Sequence, residues 1–518
     1  VKAGVGSNAD VTVSGDATVL AQSHMDATAE VFGASVGGGT LVASIAHATL
    51  TPSITASLGN NAAITSNNGS VNFRARHNYQ DPDRGATANA FAGAGGVIAG
   101  SGGDARAVNS ANVKASADAA STIRAAGTAG LSARATERAD AKAAGINIAG
   151  FGLGASVAGA SVGGVISSEF NGNEMAGDDG VIIVAEGQAY ADATADVLSG
   201  GVIAIDVNAA SATINPTIKA LSGAGSTLTS TDGDVEVLAL SAADADAIVG
   251  GNNVGGIPDI GVVAKIGASK ATATISPTVE AGLNGSATAG DGIRVRALHN
   301  VSEDAPEVFT LDNRRAHADA EASGGSLGVA ASGATAETTS NAVVSAHVGG
   351  AGAQLDAQNG KTSVVAAGYN KADSIAYGLN IGGVAGIGVI KTTATASGNT
   401  QAYVAADTTL IEGGGLDVIA TGNDLAIGDT TAAAGGLLAG GNSSESTATV
   451  NPVVKAEIRS NSTVDVGGSV KVKSESQAEG HATADGVSLA GGVSGGASTA
   501  TVRSEERRVG KECRSRWS

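Results

Sequence analysis

The sequence predicts an all-β protein, a parallel β-solenoid (a right-handed β-helix or a flat variant of it) of Gly/Ala-rich repeats of roughly 57 residues. Three observations predict it. One short phrase returns along the chain in phase. A strand-period pattern follows it at a fixed distance. The composition suits neither a single core nor disorder: of 518 residues 77 are glycine, 42% are apolar and only 2% are aromatic. One core does not absorb a chain this long, and disordered chains lack such apolar content. Stacked repeats bury their faces only against neighbours, with equivalent residues about 4.8 Å apart.

The phrase comes first. Four copies carry proline at a reference position: Pro52, Pro216, Pro277 and Pro452, as in Ile275-Ser276-Pro277-Thr278-Val279-Glu280-Ala281. Three more have Ala111, Ala342 and Gln401 in its place. Two residues on stands Ile54, Val113, Ile218, Val279, Val344, Tyr403 or Val454. Four residues on stands an alanine: Ala56, Ala115, Ala220, Ala281, Ala346, Ala405 or Ala456. Steps between copies run from about 51 to 65 residues, with one double step from Ala111 to Pro216 that is expected to hide a degenerate copy near Phe170. The alanine column is expected where two sheets approach closely. Proline cannot donate to a central ladder, so it is expected at a corner where that N–H would face away.

About 17 residues after the reference position comes a Gly or Asp-Gly turn and a strand alternating apolar and polar residues, as in Gly233-Asp234-Val235-Glu236-Val237. A run alternating alanine with small or acidic residues follows, such as Ala242 to Ile248. A glycine hinge comes next (Gly200-Gly201, Gly382-Gly383, Gly435-Gly436, Gly491-Gly492), and Ala/Thr alternation leads back to the next phrase. Alanine favours helices, but here it alternates with Thr, Val and Ser and is broken by glycine pairs, which excludes an all-helical reading.

The last 16 residues, Arg503 to Ser518, break the pattern and hold the only Cys and the only Trp. They resemble a translated sequencing adapter, and residues 503–518 are expected to lie outside the ladder; residues 1–502 form the array, about eight repeats open at both ends. The tail has six basic and three acidic residues, so the formal charge of −19 becomes −22 for residues 1–502. So acidic a chain argues against nucleic acid and anionic membranes as partners. No membrane-spanning helix is expected. The absence of cysteine from 1–502 fits an exported protein, and the chain reads as an internal piece of a longer one.

The unit GDVxVxA, alanine alternation, glycine hinge and ATATISPTVEA resembles the repeats of leukotoxin-family filamentous adhesins and, more broadly, filamentous-haemagglutinin-type bacterial exoproteins, over roughly residues 10–502. The resemblance implies a secreted or surface-attached passenger that contacts host or neighbouring bacterial cells through a surface protein or glycan. No catalytic activity and no cofactor is expected. The seven histidines have no ligand spacing, the acidic residues form no calcium loop, and the glycine hinges lack a phosphate-binding lysine. The sheet edges at the ends of the array are expected to favour end-to-end association. A β-helix enzyme acting on polysaccharide is the second reading. A threonine face that binds ice or glycans is the third.

Two features rise above background. Three residues before the reference position stand Thr49, Thr213, Thr274, Thr339 and Thr449, with Val108 and Gly398 interrupting. Outward threonines suit a strand face and would form a hydroxyl array. The other feature is a pair of loops that follow Arg-Ala strand ends and begin His-Asn: His77, Asn78, Tyr79, Asp81, Asp83 and Arg84 in one; His299, Asn300, Glu303, Asp304, Phe309, Asp312, Arg314 and Arg315 in the other. Insertions in repeat arrays map to loops, often on the binding face, which makes these the candidate partner-binding residues.

Overall fold

The structure, a computed structural model, describes residues 1–250, 260–305 and 308–504. No helix occurs among them, and one large parallel ladder connects nearly every strand. The fold is the parallel β-solenoid the repeats predict. One rung runs Thr217–Ser222, Thr227–Ser230, Val235–Val249 and Ile260–Ile275, and the next begins at Thr278–Leu283 directly above Thr217–Ser222.

Each rung contributes to two cores. The first is three-sided. Ile218 and Ala220 of the phrase strand, Leu228 of the short strand, and Val235, Val237 and Ala239 all turn inward to it. Beyond it the rung continues into a flat arm. The outgoing half turns in Ala243, Ala245, Ala247 and Val249, and the returning half meets them with Ala271, Ala273 and Ile275. The two layers of the arm are close enough for short side chains to bond across: Ser44 Oγ donates to Phe91 O at 2.6 Å, Ser156 Oγ to Asp196 O at 3.0 Å, and Asn442 Nδ2 to Ala432 O at 3.0 Å. The close layers favour small residues, and alanine, serine and glycine dominate these stretches, with Val249 and Ile275 the larger exceptions in this rung. At the arm's end the chain reverses at the glycine pairs, where Leu41, Val97, Leu327 and Leu437 stand exposed.

The alanine column runs Ala3, Ala56, Ala115, Ser168, Ala220, Ala281, Ala346, Ala402, Ala456. It lines the three-sided core, whereas the closely apposed layers are built by other alanines in the arm. Two copies of the phrase differ from the sequence reading. The degenerate copy is Gly164, Ile166 and Ser168, just before Phe170, and Ser168 Oγ donates to Val184 O at 2.5 Å. The seventh copy is out of register as read from the sequence: its reference residue is Gly398, not Gln401, and Thr400 and Ala402 fill the slots assigned to Tyr403 and Ala405. Thr400, 1% exposed, occupies an apolar slot because its shape matches valine. The tail boundary also moves. Arg503 and Ser504 pair with Thr449 and Val450 inside the ladder, and residues 505–518 lie outside the described residues.

The prolines sit at the corner between the returning arm and the phrase strand, where Pro216 and Pro277 carbonyls accept from Thr278 and Val343 N–H. The N–H site there points into the molecule. At three of the four corners without proline a buried side chain accepts the freed N–H: Ala111 N donates to Glu137 Oε1 at 2.7 Å, Ala342 N to Asn370 Oδ1 at 2.9 Å, and Gly398 N to Asp424 Oδ2 at 3.2 Å, whereas the Gly164 rung has Ala189 at the matching position. The corresponding residue in the Pro216 and Pro452 rungs is Ala243 and Ala478. Burial pushes the Glu137 carboxyl up to about 8 against the bond from Ala111, and Asp424 up to about 6.

Candidate functional site

The two His-Asn loops leave the solenoid at the same column, which runs Ser23, His77, Ala135, Gly187, Ser241, His299, Gly368. They are anchored alike. His77 Nδ1 lies 3.0 Å from Ser23 Oγ, and His299 Nδ1 lies 3.2 Å from Ser241 Oγ, each one rung below. Burial lowers His77 to about 4, helped by His24, and lowers His299 to about 3, helped by Arg314, so both rings are neutral at pH 7. The asparagines follow in left-handed conformation, with φ of 43° and 50°. Asn78 clamps the Met25 backbone with bonds of 2.8 and 2.9 Å, and Asn300 clamps Ala243 with 2.8 and 3.2 Å. All four residues are buried. His77, Asn78, His299 and Asn300 therefore anchor the insertions to the rung below.

The first loop closes on itself. Arg84 pairs with Asp81 at 2.7 Å and with Asp26 at 3.1 Å. Tyr79 lies between the guanidinium groups of Arg76 and Arg134, each 5.2 Å from its ring centre, and takes a 2.5 Å hydrogen bond from Arg134. Asp83 is exposed.

The second loop is larger and forms an antiparallel hairpin of Val301–Ala305 with Val308–Leu311. The side chain of Asp304 lies outside the described residues. The hairpin stands over the outer face of the solenoid, where Phe309 and Val301 pack with Leu238, Leu240 and Leu298. Arg296 ties its first strand down through Glu303 at 3.0 Å and also pairs with Glu236. Arg314 closes its base: it pairs with Asp312 at 3.1 Å, donates to Tyr190 Oη at 2.9 Å, and covers the Tyr190 ring at 5.1 Å. Arg315 pairs with Asp373 and donates its backbone N–H to Asp244.

Between hairpin and solenoid lies a cavity of about 530 Å³, within the range of small-ligand and peptide sites. Its apolar floor is Leu238, Leu240 and Leu298; its polar rim includes Glu186, Gln188, Asp312 and Arg314. Gln188, Glu186 and Tyr190 come from the neighbouring rung, and sequence reading missed them. A signal was present. In the Val235–Val249 strand the inward positions are Val235, Val237 and Ala239, so Leu238 and Leu240 point outward, at positions where some rungs carry charge, such as Arg74 and Arg296 or Arg134 and Glu186.

The threonines lie on the outer face of the returning arm, with Thr49 exposed and Thr213, Thr274, Thr339 and Thr449 half-buried. With the seventh copy re-registered, Thr395 replaces Gly398 in the column, and Thr213, Thr274, Thr339, Thr395 and Thr449 stack without a break over five rungs. Val108 and Ser161 separate them from Thr49. The neighbouring outward column is interrupted by Glu337, which pairs with Lys270 at 2.9 Å.

Among the described residues no three His, Cys, Asp or Glu side chains are grouped to hold a metal. The pattern G-x-S-x-G occurs at Ser35, Ser161, Ser326 and Ser494. A nucleophile elbow requires a strand-to-helix turn, and these serines lie on ladder strands instead. No helix among the described residues is long and apolar enough to cross a membrane. No family model, curated protein or solved structure matches the chain.

Proposed function

We propose that this chain is a rigid passenger region of an exported bacterial surface protein, which holds a contact site away from the cell and adheres to a host or neighbouring cell. The hairpin carries this reading. It is an insertion in an otherwise regular stack, it is anchored by dedicated side chains, and it builds a cavity where the rungs alone present a flat wall. The rungs supply length without large side chains, and the net charge of −19 keeps a long stack soluble.

The test is adhesion of beads coated with the whole chain to cultured cells, against beads whose protein has Gly-Ser in place of residues 301–312. Loss of adhesion with an unchanged melting profile is expected. Equal adhesion removes the hairpin from the account, and reproducible turnover of a polysaccharide, lost on carboxylate substitution, replaces the adhesive reading with an enzymatic one. The five-rung threonine column supports a second reading, a hydroxyl array for ice or glycans. Thermal hysteresis abolished by Thr274→Leu and Thr395→Leu together would favour it.

A further inference from the structure

We infer that the cavity under the hairpin takes a short extended peptide segment of a protein partner, one that places an aliphatic side chain next to a basic one. The inference rests on reading the hairpin as a contact site and names what it contacts. The floor decides the first half. Leu238, Leu240 and Leu298 are aliphatic, and the nearby Tyr190 ring is already covered by Arg314 at 5.1 Å. An aliphatic side chain buries well on such a floor, whereas sugar rings would lack an open aromatic face to stack on.

Charge decides the second half. Arg296 and Arg314 are both committed to internal partners, Glu236 and Glu303 for the one, Asp312 and Tyr190 for the other. Glu186 on the cavity wall pairs with Arg134 at 3.4 Å, and with Glu236, Glu303 and Asp312 the site sets four carboxylates against three guanidinium groups, so it is net acidic, in a protein that is acidic throughout. A cationic side chain is drawn to it and an anionic one repelled. One further group suits a peptide backbone: the Gln188 amide on the rim can donate to a peptide carbonyl. A cavity of about 530 Å³ holds a few residues of extended chain.

The probe is an acetylated and amidated Lys-Leu-Leu-Lys tetrapeptide titrated into the whole chain by calorimetry. Glu-Leu-Leu-Glu and Lys-Ser-Ser-Lys serve as charge and floor controls, and chitobiose as a neutral saccharide. The first peptide is expected to bind at least tenfold more tightly than either control. Asp312→Asn and Leu240→Ser should each weaken it about tenfold, while Arg124→Gln, at an exposed ion pair with Glu174 on another rung, leaves it unchanged. A melting profile for each variant separates lost binding from lost folding. Preference for the acidic peptide or for chitobiose overturns the inference, as does equal binding of all three peptides. Hairpin-dependent cell adhesion without peptide binding sinks this inference alone. Peptide binding without adhesion sinks the adhesive reading and leaves the site standing.

Discussion

A backbone N–H buried without an acceptor costs about 1–3 kcal/mol, and Ala111 escapes that cost through Glu137. Glu137→Ala should therefore destabilise the chain by about that amount in denaturant titration. Adding Ala111→Pro, which removes the N–H altogether, should restore most of the loss. Failure of the second change to rescue the first would show that the corner tolerates proline only with its native neighbours. The same carboxyl sets a pH dependence. Its ordinary value is 4.5 and its folded value about 8. Below 4.5 both states hold the proton and the full contribution is present; as pH rises towards 8 the unfolded state ionises first, and stability falls. Glu137→Gln should flatten the melting temperature between about pH 5 and 8 relative to the parent. The phrase and its missing prolines were legible in the chain. The partnership was not, because Ala111 and Glu137 are 26 residues apart and meet only once the rung is folded. The His-Asn pairs show the same limit: their recurrence was visible, but their role as anchors depends on Ser23, Ser241, Met25 and Ala243 one rung away.

The arm is the element that most constrains substitution. Ala245 faces the returning layer within a core made almost wholly of alanine. Ala245→Leu must push the layers apart, and a loss of about 1–3 kcal/mol is expected, with faster amide exchange in the neighbouring rungs. Thr272→Val, on the outer face of the same arm, should stay within about 0.5 kcal/mol. Equal effects would mean that the layers are less closely packed than their crossing hydrogen bonds indicate. The turn after each phrase strand carries its own strain. In seven of the nine rungs it places one residue in left-handed conformation, and Asn8, Asn61, Gly225, Gly352, Asp407 and Asn461 suit it, but Ala120 at φ 57° does not. Ala120→Asn should stabilise by about 0.5–1 kcal/mol, read from the denaturation midpoint. Strand alternation was readable for every element, since period two survives in Ala-rich sequence. That outgoing and returning halves pack on each other was not, because both show the same alternation. The misregistered copy at Gln401 has the same origin: an apolar residue followed by alanine recurs by chance in a chain this rich in both, and only Thr400 and Ala402 continue the ladder.

Nine positions of the alanine column stack along the whole molecule, and the period alone gave nearly that count. The cleft did not follow from the period, since it needs outward leucines, a hairpin and a neighbouring rung together. The rungs at both ends of this chain have a neighbour on one side only, and residues 469–504 are largely exposed. Such open sheet edges pair readily. Concentration-dependent growth along one axis is expected in sedimentation and electron microscopy, suppressed by Val472→Lys with Ser474→Lys on the last rung. Leu437→Lys, at a hinge tip, should leave it intact; the reverse pattern would mean side-by-side packing through the tips instead.

Consider finally what the ladder means under load. Because the rungs pair in parallel, their backbone hydrogen bonds lie along the stacking axis. A pull spread evenly over a rung would be shared by dozens of bonds at once; between Thr128 and Val162 the partners run almost unbroken to Ile214. A pull on the chain's own ends is different, because it enters at one strand and opens bonds one after another. The molecule should then peel rung by rung, each event freeing the 52 residues from Ser168 to Ala220 or the 65 from Ala281 to Ala346. At 3.3–3.6 Å per residue that is about 170–230 Å of slack for each force peak. A tether fastened through many side chains of a terminal rung should stay taut at forces that unravel one held by its terminus.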